Sequence, residues 1–313
     1  MTPPGINVDD AFLSTMKYHL LFRRLLMPVL GMFMSCAPVH AVTLAEHAEQ
    51  HPLVIQTVRP GEEVALGKEN QVNNLKEGGK VLVLSSQKLT SLAGISALTV
   101  MDAGKTVPLT SVPDLHLFLN NNEIEVLPEE FTALGNVVFI YLNSNQIRAI
   151  PAAVTQMKSL KGMYFTENQL TAIPAELYGM KQLRKFQISR NHVKEIPAAF
   201  GQLVNLIHLN LAENEIASLP ESFANLTQLR VCDLSGNRLT QLPEAFGRVQ
   251  ILYQLRVRDN PLTTLPAGFA AMPGTIDITG TKIRLEDLPP ELRAKISTEK
   301  PAVKPKVIVR PVK

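Results

Sequence analysis

The chain has 313 residues, of which 45% are hydrophobic and 19% charged, proportions that fit a folded protein and exclude a disordered one. Its 31 basic and 28 acidic groups give a net charge of +3. That balance argues against nucleic-acid binding, because phosphate recognition needs a concentrated basic face.

Lys17, Arg23 and Arg24 precede the apolar run Leu25 to Met34, and Val39-His40-Ala41 places small residues where a signal peptidase reads. Residues 1–41 therefore read as a secretory signal peptide cleaved after Ala41. Met16 is the expected start, since Asp9 and Asp10 fit poorly ahead of such a segment. The run is too short to span a bilayer, so no spanning membrane segment is expected. An alternative is a lipoprotein: Phe33-Met34-Ser35-Cys36 would place a lipid anchor on Cys36. Cleavage after Ala41 would leave Cys232 as the one thiol, a small core residue made inert by burial.

Residues 42–78 are expected to form an N-terminal cap that opens on the helix-prone stretch Leu44 to Gln50. His47 and His51 lie four apart there and could share a metal on a helix. Ala48, however, stands where the zinc-protease signature needs a glutamate, and no third ligand is evident. The pair is read as solvated, with no metal and no cofactor expected.

The body of the chain is periodic. Asn122, Asn145, Asn168, Asn191, Asn214, Asn237 and Asn260 recur every 23 residues. Each closes a copy of one pattern, such as Leu206-x-x-Leu209-x-Leu211-x-x-Asn214-x-Ile216-x-x-Leu219-Pro220, with Phe223 and Leu226 before the next copy at Leu229. A unit of this size cannot bury its apolar face alone, so stacked copies must supply the core. Leu209 and Leu211 alternate as on a strand with one buried face, leaving His208 and Asn210 to flank it or point outward.

This pattern resembles the leucine-rich repeat family, and the Leu-Pro step looks most like Ras-suppressor-type repeats and the bacterial proteins that share them. The resemblance implies an α/β solenoid: a horseshoe with short parallel strands on the concave face and irregular or short helical convex segments. It also implies that the asparagine amides stack into a ladder satisfying backbone groups in the turns. Pro128, Pro151, Pro174, Pro197, Pro220, Pro243 and Pro266 are expected to end sheet pairing, since proline donates no amide hydrogen. Missing disulfide-bonded caps favour a bacterial source.

The solenoid is expected over 79–296. Its first copy, from Lys80 to Leu92, carries Gln87 at the asparagine position. The spacing from Gln87 to Asn122 exceeds one period, so an insertion is placed near 93–112. A degenerate last repeat from 273 holds Ile276, Ile278, Thr281, Ile283 and Leu288-Pro289, with Asp277 and Thr279 expected on its exposed face. Residues 297–313 form a tail in which Lys300, Lys304, Lys306, Arg310 and Lys313 oppose Glu299 alone. It reads as an extended arm.

The informative surface is the exposed side of the strands. Phe118, Tyr141 and Tyr164 should stand side by side there, joined by His116 and Phe139 in the neighbouring column. Strands spaced about 4.8 Å apart would make this an exposed aromatic strip, a common mark of a binding patch. The remaining expected contacts are polar: Lys185, Gln187, His208, Asn210, Asp233 and Arg256. Together they suit a protein or peptide partner bound by an exported, monomeric, non-enzymatic repeat protein. No Gly-x-Ser-x-Gly elbow or phosphate-cradling loop suggests an enzyme. Two alternatives remain. An envelope-anchored adhesin or polysaccharide-binding lipoprotein would stack sugar rings on the same tyrosines, and an intracellular or injected scaffold would keep residues 1–41.

Overall fold

The structure is a computed structural model that describes residues 42–58, 63–65, 72–74 and 78–297. The expected signal peptide, Cys36 and all of the basic tail beyond Ser297 lie outside the described residues. Two compact units divide the chain, residues 1–169 and 170–313.

In the first unit the described elements follow in order. They are β1 (Val42–Thr43), α1 (Leu44–Gln50), β2 (Gln56–Val58), β3 (Glu63–Ala65), β4 (Val72–Asn74), β5 (Gly79–Val83) and β6 (Leu89–Ser91). Then come β7 (Thr99–Asp102), β8 (Lys105–Pro108), β9 (Leu115–Phe118), β10 (Val137–Tyr141) and β11 (Gly162–Tyr164). Helix α1 starts at Thr43 because a capping box forms: the Thr43 hydroxyl accepts the Glu46 N–H at 3.3 Å, and Glu46 Oε2 accepts the Thr43 N–H at 2.8 Å. It buries Leu44 and His47.

Strands β5, β9, β10 and β11 are parallel, with Leu82, Leu117, Ile140 and Met163 in register and buried. Strand β2 pairs antiparallel with β5. Residues 93–112 fold as short 3-10 turns at Ile95–Ala97 and Leu109–Ser111 around the β7–β8 hairpin. The two-residue loop of that hairpin needs positive φ at both positions, and Ala103 (49°) and Gly104 (79°) supply it. Met101 in β7 binds the chain on its other side, donating to the Leu53 carbonyl at 2.8 Å and accepting the Ile55 N–H at 2.8 Å.

The second unit continues the repeat through β12 (Lys185–Gln187), β13 (His208–Asn210), β14 (Val231–Asp233), β15 (Gln254–Arg256) and β16 (Thr275–Asp277), all parallel, and ends with α2 (Pro290–Arg293). Leu255 pairs with Ile276, so the last repeat is two residues shorter than the period. The outer edge of β16 is covered by the chain's own return: the Ile276 N–H donates to the Lys295 carbonyl and the Ser297 N–H to the Ile276 carbonyl, both at 2.8 Å. An edge strand paired in this way offers no template for another chain. Asp277, expected on the exposed face, is 1% exposed, whereas Thr279 is exposed.

The asparagine ladder is present. Asn145 Oδ1 accepts the Ile124 N–H at 3.1 Å, while its amide donates to the Leu119 carbonyl at 3.0 Å and the Leu142 carbonyl at 3.1 Å. Asn214 repeats this in the second unit, accepting from Val193 at 3.0 Å and donating to Ile188 and Leu211 at 3.0 Å. A short amide has both a donor and an acceptor end, so one side chain ties two successive coils.

The prolines do more than end pairing. Each of the seven begins a 3-10 turn, as Pro220 begins Glu221–Asn225, and the Pro220 carbonyl accepts the Phe223 N–H at 3.0 Å. Fixed φ suits proline to the extended cap position ahead of such a turn, where no N–H is needed. These turns aim Phe200, Phe223, Phe246 and Phe269 into the core with successive ring centroids 5.5, 5.1 and 5.3 Å apart.

Candidate functional site

On the strand face opposite the core of the first unit, register places His116 beside Phe139 and Phe118 beside Tyr141 and Tyr164. The rings stack: Phe118 and Tyr141 lie 4.1 Å apart with 3° between planes, Tyr141 and Tyr164 4.5 Å, His116 and Phe139 4.8 Å. Stacking of this kind contributes about 0.5–1.5 kcal/mol per pair beyond area burial. The row of aromatics is therefore where the spacing predicted.

Its exposure is not. Phe118 is 0% exposed, His116 6% and Tyr141 8%, and Phe118 and Tyr141 pack with Val58 of β2 and Val81 of β5. Most of the expected open strip is a second small core on the sheet's outer face. Only Phe139 and Tyr164 are half-buried. Their arrangement depends on Gly162, since a Cβ there would lie 2.3 Å from Phe139 Cδ1 and 3.3 Å from Tyr164 Cε2. The missing side chain lets the Phe139 ring lie over the strand backbone.

In the second unit Lys185 is half-buried, while Gln187, His208, Asn210, Asp233 and Arg256 are buried, which corrects their expected display. Local hydrogen bonding gives the reason for two of them. Asn210 Oδ1 accepts the Ala212 N–H and Asp233 Oδ1 the Ser235 N–H, each at 3.0 Å, so these side chains close the turn that follows their own strand. Arg256 reaches Asp233 at 3.5 Å, Arg258 reaches Asp277 at 2.5 Å and Arg190 reaches Glu213 at 3.1 Å. Burial pushes the Asp233 carboxyl above its usual range, against the opposing pull of Arg256. Burial likewise raises the Cys232 thiol, reinforced by the neighbouring Asp233 charge.

The rings of His47 and His51 lie 4.9 Å apart, tilted by 42°, and border a pocket of about 200 Å³ with Gln56, Leu82 and Gln87. His47 is 9% exposed rather than solvated, and burial, helped by the His51 charge, lowers its pKa. No group of three or more histidine, cysteine, aspartate or glutamate side chains that could hold a metal ion occurs among the described residues.

Parallel strands one coil apart, an asparagine ladder and proline-started 3-10 turns define a leucine-rich repeat solenoid in each unit. Residues 141–193 and 196–239 match the family model described as Leucine rich repeat, and the chain is a leucine-rich repeat protein. Among solved structures it is similar to an internalin (inlF) from Listeria monocytogenes, at 24% identity and a TM-score of 0.51, over 65% of this chain and 61% of that one. A leucine-rich repeat protein from Leptospira interrogans is similar at 24% identity and a TM-score of 0.35, over 56% of this chain and 57% of that one. The likeness to the internalin is one of fold, and the chain spans less than two thirds of that protein's length. No curated protein matches the chain.

Proposed function

We propose that this is an exported, non-enzymatic repeat protein that binds a protein or peptide segment against the strand face of its first unit. The observation that carries this reading is the way the aromatic row ends. Phe118 and Tyr141 are packed away, but the stack continues into the half-buried rings of Phe139 and Tyr164. Rings held rigidly by their neighbours lose little entropy on docking, which favours them as contact residues. The leucine-rich repeat fold supports a scaffolding role, and residues 1–41 support export.

A displayed library of random peptides, selected on the intact protein, tests the reading. Enriched peptides should lose about ten-fold in affinity, on the order of 1.4 kcal/mol, for Phe139→Ala/Tyr164→Ala. Peptides that bind the variant equally well would remove these rings from the site. Selective binding of purified glycans by the wild type would favour the adhesin instead. Export is tested by the mature N-terminus from the native cell: Val42 supports it, a lipid-modified Cys36 makes the protein membrane-tethered, and an uncleaved chain opposes both.

A further inference from the structure

The second unit carries a surface of a different kind along the edge where the chain enters its strands. Residues 181–185, 204–208, 227–231 and 250–254 contain Lys181, Arg184, Lys185, His208 and Arg230 and not one carboxylate. Backbone bonds align one residue from each coil: Ile207 N–H to the Arg184 carbonyl at 2.8 Å, Arg230 to Ile207 at 2.8 Å, and Tyr253 to Arg230 at 3.0 Å. The row thus reads Arg184, Ile207, Arg230, Tyr253. Arg184 and Arg230 stand two coils apart, roughly 10 Å by strand spacing.

Both arginines are exposed, and neither forms a side-chain hydrogen bond or ion pair among the described residues. Elsewhere in the unit Arg190, Arg238, Arg256 and Arg258 are matched by Glu213, Glu215, Asp233 and Asp277. The same edge also exposes apolar side chains. In the preceding coils Leu183, Leu206 and Leu229 fill the core, at 1% exposure or less. At the equivalent position Leu252 is 43% exposed, because Ile251 enters the core one residue early, its N–H bonding the Val249 carbonyl at 3.0 Å. Val204 is 38% exposed, and Tyr253 and Ile207 are half-buried. Unmatched guanidinium groups interleaved with exposed aliphatic and half-buried aromatic side chains are the mark of a recognition surface rather than of a solvated face.

We propose that this edge docks an acidic, extended segment of a partner protein. Carboxylates of the segment pair with Arg184 and Arg230, an apolar side chain between them packs on Ile207, and a second one beyond Arg230 packs on Leu252 and Tyr253. Charge complementarity selects the occupant. The chain's own tail, with Lys300, Lys304, Lys306, Arg310 and Lys313, has the same sign as the edge and would be repelled.

The test is fluorescence anisotropy of the full chain with a fluorescein-labelled peptide of aspartate and glutamate around two leucines. The same peptide with lysine for each acid, and phosphatidylglycerol vesicles, serve as comparisons. Binding of the acidic peptide should weaken as salt rises and fall about ten-fold or more in Arg184→Glu/Arg230→Glu. Leu252→Ser should weaken it several-fold while leaving the salt dependence unchanged. Both sets of side chains are exposed, and circular dichroism checks that the variants fold. Phe139→Ala/Tyr164→Ala should leave this binding intact, which separates it from the site on the first unit. Equal binding by the charge-reversed variant, no binding of the acidic peptide, or binding to the vesicles alone would overturn the proposal.

Discussion

Asp233 is fully buried, and its carboxylate accepts the Ser235 N–H at 3.0 Å while the Arg256 guanidinium stands 3.5 Å away. Desolvation outweighs the arginine's pull, so the folded carboxyl holds its proton more tightly than the unfolded one. A folded pKa above the ordinary 3.8 contributes stability that is complete below that value and is lost as pH rises through the folded pKa. Asp233→Asn keeps the acceptor for Ser235 and removes the titration. Its urea midpoint should therefore improve relative to the wild type as pH rises from acid to neutral. A difference that shrinks over that range would show that the Arg256 pairing dominates.

The asparagine ladder predicts a graded series. Asn214→Ala strands the Val193 N–H inside the coil, while the Ile188 and Leu211 carbonyls lose one of two donors and keep the amides of Asn191 and Asn237. An unsatisfied buried N–H costs about 1–3 kcal/mol, so a loss of that size is expected in denaturant unfolding. Asn214→Asp keeps the acceptor but sets a carboxylate against both carbonyls. It should be no less destabilising, whereas a neutral effect would deny the donor side of the ladder any role.

Gly162→Ala tests what holds the open end of the aromatic row. The new methyl would lie 2.3 Å from the Phe139 ring, which must swing away from its place against His116. Near-ultraviolet circular dichroism should change while the far-ultraviolet signal stays close to wild type, and affinity for selected peptides should fall. Unaltered near-ultraviolet bands would mean that the ring does not depend on this glycine.

Phe223 stacks on Phe200 at 5.5 Å and meets Phe246 edge-on at 5.1 Å. Phe223→Ala should cost about 3–5 kcal/mol, the usual range for deleting a buried ring. A loss below about 1 kcal/mol would mean that the turn collapses into the space and that the phenylalanine column carries little of the core.

Cys232 sits in the second unit's core with its thiol pKa raised by burial. Mass mapping after alkylation at mildly alkaline pH should leave its peptide unmodified in the native protein and modify it fully in denaturant. Native-state labelling at the rate of a free thiol would show that the coil opens.

The strands, turns and ladder were legible in the sequence because each depends on residues a fixed period apart. Asn145 and Asn168 occupy equivalent positions and make equivalent bonds. Proline's role was half legible: absence of an N–H predicts an end to pairing, but its fixed φ also begins the 3-10 turn that positions Phe223. The aromatic row was legible in order and spacing yet not in exposure. Val58, which packs with Phe118, lies outside the periodic region and reaches it through the antiparallel β2. The slip that turns Leu252 outward was hidden, since Val249-Gln250-Ile251-Leu252 offers two apolar residues for one core position.

By itself, then, the sequence determined the repeat, its core-facing leucines and the hydrogen-bonding job of its asparagines, because a 23-residue period brings like residues onto like positions of adjacent coils. Only the tertiary structure decided which side chains meet solvent. Burial depends on what packs across a strand face from elsewhere in the chain, as Val58 does on Phe118. Charge depends on whether a partner lies within reach across coils, as Asp233 does for Arg256 and as none among the described residues does for Arg184 and Arg230.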